Sequence, residues 1–200
     1  MRTIRILTIS TATILLLAAF GSGVQGSRPQ GQQTPAPAPQ GPGFALTTTA
    51  FEDGSTIPAK YTQLVPNPVT PKLEWANVPA GTVSFVLIMH DPDGAPQKRL
   101  EQYLHWMLFN IPATVRGLPE GVAETAQLAD GTIQAKNARG DVGYRGPGAG
   151  AAGPYHHHTF ELYALDIKLD LGPDATQSDV LKAIDGHIVG KAVLVGRFHR

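Results

Sequence analysis

Cysteine is absent from the 200 residues. That excludes thiol nucleophiles, disulfides and Cys-ligated zinc, and it leaves stability to packing alone. A charge excess is also missing, because Lys plus Arg and Asp plus Glu stand at 16 each. No basic surplus advertises nucleic acid as a partner, and no acidic surplus advertises a solvating tail. The chain also has little in the way of long apolar runs. Ile6 to Phe20 is the longest near the start. It falls short of a comfortable membrane span of about 20 residues and is interrupted by Thr8, Ser10, Thr11 and Thr13.

That apolar run, preceded by Arg2 and Arg5 and followed by the small residues of "GSGVQG", predicts an export signal over residues 1–26. Val24-Gln25-Gly26 is the expected cleavage site. An uncleaved membrane anchor is the alternative; a lipid anchor is excluded, since no Cys follows. The mature chain is then expected to be periplasmic or secreted, with no stable membrane span. Residues 27–43, "SRPQGQQTPAPAPQGPG", carry five prolines, four glutamines and one charge. Such a segment cannot bury a core and predicts a disordered linker. A single folded domain is expected over 44–200, with 42% of the chain hydrophobic.

From Phe44 onward the pattern predicts strands. "FALTTTAF" is β-branched and aromatic. "VSFVLIMHD", Val83 to Asp91, is a continuous apolar run that predicts a strand buried on both faces. "LHWMLFNI", Leu104 to Ile111, is closed by Pro112. "TFELYALDI" alternates cleanly, and "IVGKAVLVGRF" ends the chain. One helix is expected in "SDVLKAIDGH", with Ser178 as N-cap, an apolar face of Val180, Leu181 and Ile184, and Gly186 as its stop. A shorter helix is expected near Glu120 to Leu128. The fold class is therefore all-β, a two-sheet sandwich with one or two peripheral helices.

Period-two alternation assigns faces. In "HHHTFELYAL", His156 and His158 share the apolar face of Phe160, Leu162 and Ala164, so His157 points to solvent. Phe85, Leu87 and Met89 share a face that ends in Asp91. His105, Met107, Phe109 and Ile111 are expected to share another, with His105 at its entry. Taken alone, Asp91 before a proline reads as a turn former, Asp93 as the cap of "DPDG", and each His as hydrogen-bonded in place. Taken together, Asp91, His105 and His156 predict a polar pocket at strand ends on a rigid scaffold.

The blocks "LEWANVPAGTVSFVLIMHDPDGAP", "LHWMLFNIP", "GLPEG" and "YRGPGAG…HHHTFELYALD" occur in order. In this combination the chain resembles the phosphatidylethanolamine-binding proteins, in particular their bacterial, Raf-kinase-inhibitor-like branch. The resemblance implies a β-sandwich with a small anion-binding cavity at one end. It places Asp91, Pro96, His105 and His156 at that cavity and Tyr144, Gly146 and Pro147 on its rim. His158 stands where the family usually has Tyr. Gly94 is an extra residue in the turn, and Ala149 and Gly150 replace a usual pair of prolines.

The function implied is non-catalytic binding of a small anion or phospholipid headgroup, such as phosphate or phosphorylethanolamine, linked to regulation of a partner protein. On this reading histidine charge would favour mildly acidic to neutral pH. Two alternatives stay open. The cavity rim would dock a protease or kinase as an inhibitor. Or His105, His156, His158 and Asp91 would ligate the metal of a hydrolase. The last is least favoured, because nothing reads as a nucleophile or general base with an activating partner. No cofactor and no bound metal are expected.

Overall fold

Eight strands and one helix follow in chain order: β1 Ala45–Thr47, β2 Leu73–Ala76, β3 Ser84–Asp91, β4 Tyr103–Pro112, β5 Gly117–Leu118, β6 Ile133–Gln134, β7 His156–Leu165, α1 Gln177–Ile184 and β8 Ile188–Phe198. The structure, a computed structural model, describes residues 42–94, 102–149 and 153–200. The expected export signal, nearly all of the expected linker, and Pro96 lie outside the described residues. No described helix is long and apolar enough to cross a membrane.

The strands form two antiparallel sheets. The small sheet runs β1-β2-β5 and the large one β6-β4-β3-β7-β8. Leu46, Leu73, Trp75 and Leu118 of the small sheet pack on Phe85, Leu87, Met89, Trp106, Phe160 and Leu162 of the large one. Phe85 is fully buried, with the Trp75 ring edge-on at 5.5 Å and Phe44 stacked at 6.1 Å. Burying one such side chain contributes roughly 1.5–3 kcal/mol.

The outer face of the large sheet is covered as well. Val86, Ile88, Met107, Phe109 and Leu165 pack with Leu169 and with Val180 and Ile184 of α1. All eight residues of β3 are therefore buried, which is why its sequence is apolar without alternation. The N-cap of α1 is Thr176, two residues before the expected Ser178. Thr176 Oγ1 accepts the backbone N–H of Asp179, and Asp179 returns a carboxylate to the Thr176 N–H. This reciprocal pair satisfies two orphan donors, which Ser178, already inside the first turn, cannot do. Leu181 remains exposed. Residues 120–128 are irregular rather than helical, with Gln127 bridging to Ile133.

Strand β4 departs from plain alternation twice. Met89 pairs with Trp106 and His90 with Leu104, so His105 is an extra residue on β4. Phe85 pairs with Ile111 and Leu87 with Leu108, so Phe109 and Asn110 both stand opposite Val86. Each bulge resets the phase of the side chains. Met107 and Phe109 consequently face α1, not the sandwich core with Ile111, contrary to the face expected from period two. At the second bulge Asn110 adopts φ 57°, a conformation Asn tolerates better than most residues. Its side chain donates to Leu169 O at 2.9 Å and accepts from Leu169 N at 2.8 Å, tying the loop after β7 to the bulge.

Candidate functional site

The ends of β3 and β4 and the start of β7 meet at one edge of the large sheet. Asp91, the last residue of β3, is 2% exposed. Its Oδ1 accepts the backbone N–H groups of Asp93 and Gly94, both at 2.9 Å. Asp91, not Asp93, thus caps the "DPDG" turn. Its Oδ2 accepts the Nδ1–H of His156 at 2.7 Å. Gly94 lies so close that a Cβ there would stand 2.6 Å from this Oδ2.

Uninterrupted alternation in β7 places His158 fully buried, His156 half-buried and His157 exposed. His157 is held from outside: its backbone N–H and ring Nδ1 reach Asp93 Oδ2 at 2.7 and 2.8 Å. Desolvation raises the Asp93 carboxyl, and these two bonds outweigh it, leaving its pKa below the ordinary value.

His105 reaches the site through its bulge. The extra residue lets both His105 and Trp106 face the sandwich side, Trp106 entering the core and His105 ending beside His158 at a ring separation of 4.8 Å. The glycine-rich loop is strapped to this bulge. Arg145 N donates to His105 O at 2.9 Å, and His105 Nδ1–H donates to Arg145 O at 2.8 Å. That bond fixes the tautomer and leaves Nε2 as a bare lone pair. Burial pushes the His105 pKa below its ordinary value. Burial, followed by repulsion from His105, pushes His158 down to about 3. Both rings are neutral at physiological pH.

Above this floor lies a cleft of about 320 Å³ lined by Gln63, Asp91, Gly94, Tyr103, His105, Arg145, Gly148, Ala149, His156 and Arg200. Arg145, which the sequence did not single out, brings a fixed positive charge, as does Arg200. Arg145 Nη2 donates to Gln63 Oε1 at 3.2 Å, and Gln63 in turn donates to Gly146 O at 2.7 Å and, through its backbone, to Pro147 O at 2.9 Å. The loop residues expected on the rim sit differently. Tyr144 is buried edge-on to Trp106 at 5.6 Å, with its hydroxyl donating to Tyr61 O at 2.8 Å. Gly146 packs so tightly that a Cβ would meet Tyr61 O at 2.8 Å. Arg145, Gly148 and Ala149 are the loop residues that line the cleft. His158 lies beneath it, out of contact with solvent. Arg145 carried a readable signal: a lone cation in an otherwise uncharged glycine-rich loop.

The family profile described as "Phosphatidylethanolamine-binding protein" matches residues 47–199. A UPF0098 protein of Methanothermobacter thermautotrophicus is 44% identical over 155 residues, covering 78% of this chain and 98% of that one. A protein of Mycobacterium tuberculosis named as a lipoprotein, LppC, is 32% identical over 204 residues, covering 95% and 94%. The crystal structure of a phosphatidylethanolamine-binding protein homolog from Chlamydia trachomatis, CT736, superposes with a TM-score of 0.69 at 34% identity, covering 79% and 98%. The two antiparallel sheets, the strand-end cleft and these matches agree, and the chain belongs to the phosphatidylethanolamine-binding protein family.

Proposed function

We propose that the cleft binds a small anion, inorganic phosphate or a phosphorylated headgroup such as phosphorylethanolamine, without catalysing its turnover. Membership of the family supports ligand binding in general. The observation that carries the finer reading is the pairing of charges around the cleft. Arg145 presents a permanent cation that is held in place through Gln63. Asp91, the acidic side chain in the lining, has both oxygens committed to the turn and to His156, so it does not meet a ligand as a bare carboxylate. Gly148 and Ala149 let main chain border the same space.

Attraction comes from arginine rather than from protonated histidines at the floor. Burial favours the neutral form of both imidazoles, so His158 shapes the floor from beneath while His105, which lines the cleft, is placed to accept a hydrogen bond, for instance from an ammonium headgroup. The resemblance to LppC over nearly the whole chain, together with the short apolar run at Ile6 to Phe20, supports export as the setting in which this binding takes place.

Calorimetric titration of the purified full chain with phosphate and with phosphorylethanolamine tests the reading. Saturable heat that is lost in Arg145→Ala is expected. No measurable binding of either ligand at millimolar concentration would reject it.

A further inference from the structure

We propose that Asp91, His105 and His158 form a binding site for a divalent transition metal ion, zinc in the first place, set in the floor of the cleft. One carboxylate oxygen and one nitrogen from each imidazole lie within 4.8 Å of one another, and all three residues are buried. His105 Nε2 and both ring nitrogens of His158 are buried without a hydrogen-bond partner. Leaving a buried polar atom unpaired is costly, so His105 Nε2 and the one His158 nitrogen within reach of Asp91 call for a ligand of their own.

The chemistry of the three donors suits a metal. A metal takes the lone pair of an imidazole, and neither His105 Nε2 nor the His158 ring nitrogens have a competing hydrogen bond. His105 has the outer bond that such a ligand needs, Nδ1–H to Arg145 O at 2.8 Å, which aims the Nε2 lone pair away from the loop. Asp91 has a matching one, since His156 Nδ1–H holds Oδ2 at 2.7 Å. His158 Nε2 lies 3.7 Å from that Oδ2, too far for a hydrogen bond. Tetrahedral zinc with bonds of about 2.0–2.2 Å sets its ligand atoms roughly 3.4 Å apart, so binding draws the three atoms, which lie within 4.8 Å, closer together. With no cysteine in the chain, two imidazoles and a carboxylate make a borderline-hard set that favours zinc, cobalt or nickel over calcium and magnesium.

His158 is what makes the set. A phenol in its place, as in His158→Tyr, would remove one of the two imidazole donors. Asp91 and His105 both line the cleft, which supplies an entry path and an open fourth position. Arg145 borders the same space and disfavours a bare dication, so an anion or hydroxide completes the coordination.

The test needs no anion ligand and so stands apart from the phosphate titration. The full chain is stripped with a chelator and titrated with Co²⁺, followed by visible absorption, and with Zn²⁺, followed by metal analysis after gel filtration. One equivalent per chain is expected, with the intense d–d bands of tetrahedral cobalt. His105→Ala and His158→Tyr should each weaken binding at least about 100-fold, beyond the roughly 10–100-fold that losing an outer-shell partner costs. His157→Ala should leave binding unchanged. A weak octahedral cobalt spectrum in the wild type, or no retained metal, would overturn the proposal whether or not the variants fold. So would full binding in folded His105→Ala and His158→Tyr, which would put the metal on surface histidines.

Discussion

Oδ2 of Asp91 accepts the Nδ1–H of His156 at 2.7 Å, joining the last residue of β3 to the first residue of β7. The same carboxylate holds the turn after β3 through Oδ1. One buried side chain therefore sets both the course of the "DPDG" turn and the orientation of an imidazole on the cleft wall. Asp91→Ala leaves two turn N–H groups and one imidazole N–H unpaired and should cost about 3 kcal/mol. Asp91→Asn keeps an oxygen for the turn and should cost less, about 1–2 kcal/mol. Urea unfolding with a common slope measures both. Equal losses would show that the turn bonds contribute nothing.

Arg145→Ala should weaken phosphate binding by about 1.5–3 kcal/mol, the range for a hydrogen bond to a charged group. Arg145→Lys should recover part of it, since a point charge keeps the attraction but not the fork that Gln63 holds. His157→Ala, with its ring outside and bound to Asp93, should change affinity by less than about 0.5 kcal/mol. Calorimetry on the three variants decides. Full affinity in Arg145→Ala would remove Arg145 as the source of attraction and leave Arg200, which lines the same cleft.

Gly94→Ala is a steric probe of the same carboxylate. The added methyl meets Asp91 Oδ2 at 2.6 Å, and the buried Asp91 cannot swing away without losing His156. A destabilisation of about 1–3 kcal/mol is expected, as for other overpacked sites, together with weaker phosphate binding. Gly148→Ala meets the Gln63 side-chain amide, also at 2.6 Å. Gln63 is half-buried and flexible, so this variant should be milder, about 0.5–1 kcal/mol. Thermal melts of the pair rank them, and a larger loss from Gly148→Ala would contradict the assignment of Asp91 as the rigid member.

Glu161 lies on the outer face of the large sheet, where His90 at 3.6 Å holds its carboxyl down. Desolvation opposes the shift, while Lys191 and the Tyr163 hydroxyl add to it, and the pKa falls to about 2. A carboxyl with a depressed folded pKa stabilises the protein above its unfolded value near 4.5 and loses that contribution as pH falls towards 2. Glu161→Gln should therefore cost about 1–2 kcal/mol at pH 7, discounted for partial exposure of the group. The wild-type and variant stability curves should converge between pH 4.5 and 2. Curves that stay parallel to pH 2 would show that the loss comes from packing and not from charge.

Affinity for phosphate should rise with pH through about 6, where a phosphate monoester gains its second charge, and should not fall above neutrality. Loss of histidine protonation would weaken binding there, but burial lowers the pKa of both His105 and His158, so these two rings have no charge to lose above neutrality, and Arg145 keeps its own. Titrations at pH 5.5, 7 and 8.5 check this. Affinity lost at pH 8.5 would return the charge to the histidines.

Amino-acid pattern alone determined whatever depends on local period and composition. Strand β7 runs ten residues without a bulge on its β3 side, so counting by twos sorted His156 and His158 from His157. The unbroken apolar run of β3 announced a strand covered on both faces. Strand β4 could not be read this way. Its two bulges exist because β3 pairs with it out of step, and the phase of Met107, Phe109 and His105 follows from that pairing rather than from β4's own sequence. Strands β5 and β6 have two residues each, too short to show any period, and exist only through their partners β2 and β4. Tertiary structure also decided the electrostatics of the site. Arg145 reaches the cleft only because its loop is strapped to the His105 bulge, and the two floor histidines are neutral only because the sandwich takes them out of water. Desolvation and non-local pairing are properties of the assembled sheets, and neither leaves a mark on the spacing of residues along one strand.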